Sequence, residues 1–117
     1  MNTRRGLSLS THVLDTSLGT AAANLKVTVH RFDDESQKWQ AVRAKQTDPD
    51  GRCNVFEQSE FPSATYKLTF HVGAYYVGKN LKTLYPAIEI LVDCTDDQHY
   101  HLPLLLSPYG YTTYRGS

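Results

Sequence analysis

Short segments in which apolar and polar residues alternate, each closed by a turn, leave this chain little choice but a β-sheet fold. In residues 7–15, Leu7, Leu9, Thr11 and Val13 take one parity and Ser8, Ser10 and His12 the other. Period two is the mark of a half-buried strand, because successive side chains point to opposite faces. Leu25, Val27 and Val29 alternate with Lys26, Thr28 and His30, and Tyr66, Leu68, Phe70 and Val72 with Lys67, Thr69 and His71. Residues 39–44 form a weaker strand, Ile88, Ile90 and Val92 another, and residues 98–106 and 109–114 the last two. In residues 73–83 the alternation fails, and Tyr75, Tyr76 and Leu81 would line one side of a short helix ended by Pro86. Many short strands with at most one helix predict an all-β antiparallel sandwich. A chain of 117 residues fits one domain, residues 1–117.

Chain ends are usually frayed and polar, but here the β-formers Tyr111, Thr112, Thr113 and Tyr114 run almost to the last residue. Such an end is expected to be pinned into the fold or into a partner. Twelve Lys and Arg balance twelve Asp and Glu, so the basic excess of a nucleic-acid or anionic-membrane binder is missing. A net charge of zero gives little protection against self-association. No apolar run approaches the ~20 residues that span a bilayer, and Cys53 and Cys94 do not make a secreted disulfide framework. A cytoplasmic protein is the expectation, with the peroxisome left open.

Three kinds of residue could carry chemistry. His99 and His101 are two apart on a predicted strand, so both imidazoles share a face, with Cα atoms ~6.6 Å apart. With His12 as a third ligand they would suit a zinc hydrolase. A metal-free reading needs fewer assumptions: a neutral histidine takes a proton from water and an arginine stabilises the developing oxyanion. Asp48-Pro49-Asp50-Gly51 is the strongest turn signal in the chain, and it places Arg52 on a rigid corner. Cys53 beside Arg52 invites a thiolate, but strand parity sends it inward. No G-x-S-x-G elbow is present, and His30 and His71 read as structural.

Leu9-Ser10-Thr11-His12-Val13-Leu14-Asp15, Asp50-Gly51-Arg52-Cys53 and the run from Gln98 to the terminal Tyr114-Arg115-Gly116-Ser117 resemble the transthyretin-related family. The resemblance covers nearly the whole chain in order, and its enzymes are the 5-hydroxyisourate hydrolases of purine catabolism. It implies an eight-stranded sandwich with one short helix, assembled as a homotetramer, a dimer of dimers around a central channel. It also implies His12, Arg52, His101 and Ser117 as catalytic residues, and His12, Arg52, Tyr114, Arg115 and Gly116 as substrate contacts. His99 would have a supporting role, and neither metal nor cofactor is called for. The reaction implied is hydrolytic opening of a ring amide, giving 2-oxo-4-hydroxy-4-carboxy-5-ureidoimidazoline, with kcat/KM falling below roughly pH 6.5 if a neutral histidine is the base. The chain departs from the family where Asn54-Val55 replaces a common Pro-Gly, and in residues 77–83. A transthyretin-like carrier of an aromatic ligand is the alternative reading. A purely structural interaction module would leave His12, Arg52 and His101 freely replaceable.

Overall fold

The computed structural model describes residues 8–57, 62–95 and 99–116. Strands β1 (Ser8–Asp15), β2 (Thr20–Ala21), β3 (Lys26–Asp33), β4 (Lys38–Gln46), β5 (Arg52–Phe56) and β6 (Ala64–Phe70) are followed by one helix, α1 (Val72–Val77). Strands β7 (Ile88–Cys94), β8 (His99–Ser107) and β9 (Gly110–Thr113) complete the chain. One sheet runs β2-β1-β8-β9, with β5 also paired to β1, and the other runs β4-β3-β6-β7. The predicted sandwich with one short helix is therefore the observed fold. One pairing departs from the antiparallel expectation: β1 runs parallel to β8, in register from Ser8 with His99 to Asp15 with Leu106.

The alternation read along the chain is what fills the core. Leu9 and Val13 of β1 and Leu102, Leu104 and Leu106 of β8 face Val27, Val29, Leu68 and Phe70 of the opposite sheet, and all are buried. Burying each such side chain contributes roughly 1.5–3 kcal/mol. In β5 both Val55 and Phe56 are buried. The register with β1 shifts between Leu9 and Ser10, and this bulge lets two consecutive apolar residues turn inward.

The helix is shorter than predicted. Val72 opens it instead of closing β6, and it stops at Val77, well before Pro86. Gly78 follows, Asn80 takes a positive φ of 58° and the Leu81 amide turns back to the Tyr76 carbonyl at 2.9 Å. Tyr75 and Tyr76 are buried as expected, whereas Leu81 is off the helix and partly exposed. The Tyr75 hydroxyl donates to buried Asp15 at 2.9 Å, and Asp15 also accepts from the Ser17 amide and hydroxyl. This network fastens the end of β1 to α1 and satisfies a carboxylate that burial would otherwise penalise. Among the described residues, no helix is long and apolar enough to cross a membrane.

Candidate active site

With Leu9, Thr11 and Val13 turned into the core, parity puts Ser8, Ser10 and His12 on the outer face of β1. The pairings place their neighbours. His12 lies opposite Arg52 on β5 and Pro103 on β8, while Ser10 lies opposite Asn54 and His101. Two adjacent rows, Arg52–His12–Pro103 and Asn54–Ser10–His101, thus cross one face. Directly paired side chains in a sheet are about 5 Å apart and diagonal ones roughly 7–8 Å. His12 is therefore beside Arg52 and diagonal to His101, while Arg52 and His101 stand on the two strands that flank β1. Ser8, Ser10, Arg52, Asn54, His99 and His101 line a cleft of about 300 Å³ on this face.

The turn before β5 is rigid for reasons visible in its residues. The Asp48 side chain accepts from the Asp50 and Arg52 amides, both at 2.9 Å. Gly51 has φ +78°, and a Cβ there would collide with the Val13 carbonyl oxygen, so the position needs glycine twice over. The Gly51 carbonyl in turn accepts from the Val13 amide at 2.8 Å. The turn also holds His12, whose Nε2 is 2.9 Å from the Asp50 carbonyl. A carbonyl can only accept, so His12 carries a proton on Nε2 and turns Nδ1 elsewhere.

On the other side of the site, His101 Nδ1 lies 2.8 Å from Ser10 Oγ. The C-terminal segment comes back along β8, and the Gly116 amide donates to the His101 carbonyl at 2.8 Å. It packs so closely that a Cβ on Gly116 would stand 2.7 Å from His101 Cδ2 and 3.1 Å from Pro103 Cγ. Up to Gly116 the C-terminal segment is pinned into the fold, and it is pinned onto the histidine.

The family description HIUase/Transthyretin matches residues 9–116. The chain belongs to this family. A protein of Rhizobium meliloti (strain 1021) named 5-hydroxyisourate hydrolase 2 is 43% identical over 116 residues, covering 93% of this chain and 95% of its own length. The solved Klebsiella pneumoniae 5-hydroxyisourate hydrolase superposes with a TM-score of 0.81 at 32% identity, over 94% of this chain and 99% of that one. Sea bream transthyretin in complex with thyroxine superposes with a TM-score of 0.86 at 27% identity, over 92% and 93% of the two chains.

In this member of the HIUase/transthyretin family, burial lowers the pKa of His101 below the ordinary histidine value, and the nearby Arg52 and His12 push the same way. All three effects favour the neutral ring. Burial raises the Cys53 thiol, so the thiolate reading of that residue has no support, and Cys94 is pushed up to about 12. His71 bonds Thr28 through Nε2 at 3.1 Å, which fits its structural reading.

The remaining predicted residues are divided. His99 lies on the site face, with Nδ1 2.6 Å from Ser8 Oγ. Tyr114 and Arg115 line an adjoining apolar groove with Tyr100, Ile90 and Val92, and the Arg115 guanidinium sits 4.8 Å from the centroid of the Tyr100 ring. Ser117 lies outside the described residues. Among the described residues, no three His, Cys, Asp or Glu side chains are grouped as a metal site requires. Ser10 was not among the predicted site residues. Its signal was present in Ser8-x-Ser10-x-His12 set against His99-x-His101, but only the parallel pairing of β1 and β8 turns that pattern into contacts.

Proposed function

We propose that this protein opens a ring amide of 5-hydroxyisourate with water, using His101, His12 and Arg52. The observation that carries the reading is the convergence of these three side chains on one face, in a chain similar along its length to named hydrolases of this substrate. His101, neutral and with its ring standing off the sheet, is the general base that takes a proton from water. Arg52, held by its turn, binds the electron-rich purinone oxygens and stabilises negative charge at the attacked carbonyl. His12 protonates the departing ring nitrogen from Nδ1. Losing that proton leaves the Nε2–H tautomer that the Asp50 carbonyl already holds. Water adds to the carbonyl, the C–N bond breaks, and the product carries a new carboxylate; the proton gained by His101 returns through solvent to His12.

Gly116, with the Tyr114 and Arg115 groove beside it, forms one wall of the same site in this reading. The homotetramer implied by the family resemblance belongs to the proposal as well. The test is direct. 5-Hydroxyisourate is generated with urate oxidase and its ultraviolet decay is followed. Wild type accelerates the decay, and His12→Ala, Arg52→Ala and His101→Ala each lose about 10²-fold or more, the usual effect of removing a positioned acid–base or oxyanion group. Full activity in all three variants refutes the assignment.

A further inference from the structure

The His101 ring is gripped on both of its inner edges. Nδ1 meets Ser10 Oγ at 2.8 Å on the β1 side. Cδ2 faces the backbone of Gly116 on the other side, where even a methyl group has no room. Nδ1 and Cδ2 are the two ring atoms bonded to Cγ, so the ring stands upright between β1 and the C-terminal segment with Nε2 and Cε1 outermost. The contact arises from the parallel ladder, which sets Ser10 and His101 in register on one face. Two residues earlier the same ladder makes the same rung, with Ser8 Oγ 2.6 Å from His99 Nδ1.

We propose that Ser10 is the positioning residue of this site: its hydroxyl oxygen accepts from His101 Nδ1–H, which fixes the ring and leaves the lone pair on Nε2 facing the cleft. The partner of one imidazole nitrogen decides which nitrogen is basic. An unheld neutral ring would divide itself between two tautomers and several rotations, only one of which presents a base to water. The proposal rests on the hydrolase reading for its catalytic consequence, but not for the tautomer. Ser10 itself does not contact the reacting atoms.

The sign of a pH shift reports the direction of this hydrogen bond. Among the described residues, the charged or titratable groups around His101 are His12 on β1, Arg52 on β5, His99 and Tyr100 on β8, Asp93 across the groove on β7, and Tyr114 and Arg115 in the C-terminal segment. None of them is altered by changing Ser10. An acceptor on Nδ1–H stabilises the imidazolium more than the neutral ring, so removing it makes the ring harder to protonate. A hydroxyl that instead donated to a bare Nδ1 would stabilise the neutral ring, and its removal would act the opposite way.

The experiment compares wild type, Ser10→Ala and Ser10→Thr, with thermal melts confirming that all three fold. Ser10→Ala is expected to lose about 10–100-fold in kcat/KM, the usual effect of removing an outer partner of a functional histidine. Ser10→Thr, which keeps the hydroxyl, recovers most of that loss. The acid limb of the kcat/KM profile moves to lower pH in Ser10→Ala. Nitrogen-15 spectra of the imidazoles, recorded without substrate, show His101 protonated on Nδ1 in wild type and a mixture of tautomers in Ser10→Ala. A limb that stays in place or moves to higher pH overturns the proposal, and so does a wild-type His101 protonated on Nε2. If wild type does not turn over 5-hydroxyisourate, the hydrolase reading falls while the spectra still judge the tautomer.

Discussion

Replacing Gly116 with alanine adds one methyl group at the most crowded point of the site. The new Cβ would stand 2.7 Å from His101 Cδ2, and 3.1 and 3.2 Å from Pro103 Cγ and Cδ. Carbon atoms in ordinary contact keep about 3.5–4.0 Å, so something must move by about 0.8 Å or more. The backbone is a poor candidate, since the Gly116 amide is bonded to the His101 carbonyl at 2.8 Å. The imidazole is the softest partner, and turning it strains the bond from Nδ1 to Ser10. A displacement of about 1 Å in a catalytic group costs on the order of 10²-fold in rate. Gly116→Ala should therefore lower kcat/KM for 5-hydroxyisourate by about 10²-fold, mostly in kcat, with little change in the melting temperature because the segment is peripheral to the core. A Gly116→Ala enzyme with wild-type kcat/KM would show that the glycine does not set the ring, and the clamp described above would be wrong.

Two further outcomes follow from the same geometry. The pKa of His101 is lowered by burial first and then by Arg52, so the active neutral form persists below the ordinary histidine value of about 6.5, and activity falls at a lower pH than sequence alone predicts. Removing the cation in Arg52→Gln raises that pKa, so the acid limb of the residual kcat/KM should move to higher pH; an unmoved limb would mean that Arg52 does not act on His101. Gly51→Ala must force φ +78° on a residue with a Cβ and push that carbon against the Val13 carbonyl. A loss of about 1–3 kcal/mol in urea denaturation is expected from such strain, together with reduced activity as Arg52 and Asp50 shift; a variant as stable as wild type would show that the turn is not set by its glycine.

Much of this arrangement was legible in the residues because strand parity is a local property. His12 and Ser10 share a face whatever they pair with, and Arg52 leaves a turn whose Asp-Pro-Asp-Gly chemistry is complete in itself. The pairing of β1 with β8 was not legible, since it joins residues 91 apart through the packing of two sheets and through no local signal. Without that pairing, Ser10 is one polar residue among several. Strand β5 was obscured by its bulge, which puts Val55 and Phe56 on the same side and breaks the alternation. The helix ends before the stop that Pro86 signals, because the backbone already turns at Gly78 and Asn80. The family resemblance implies Gly116 as a substrate contact; its place against His101 adds a packing reason for glycine that only the fold reveals.

The same sandwich holds thyroxine in sea bream transthyretin, at a TM-score of 0.86 to this chain. Fold alone therefore cannot separate a carrier from a hydrolase, and the difference must lie in what the outer face presents. Sites for aromatic ligands are mostly apolar, with a few polar groups that fix orientation. Here one cleft gathers two histidines, an arginine, an asparagine and two serines. The imidazoles of His99 and His101, the Arg52 guanidinium across β1 and, on the same face beside the cleft, the His12 ring held by its Nε2–H to the Asp50 carbonyl are poorly suited to holding an apolar ring. They are well suited to moving protons around a carbonyl. The glycine that closes on His101 extends the argument: a carrier has no use for a ring clamped between the Ser10 hydroxyl and the Gly116 backbone, whereas a general base loses rate when it is displaced.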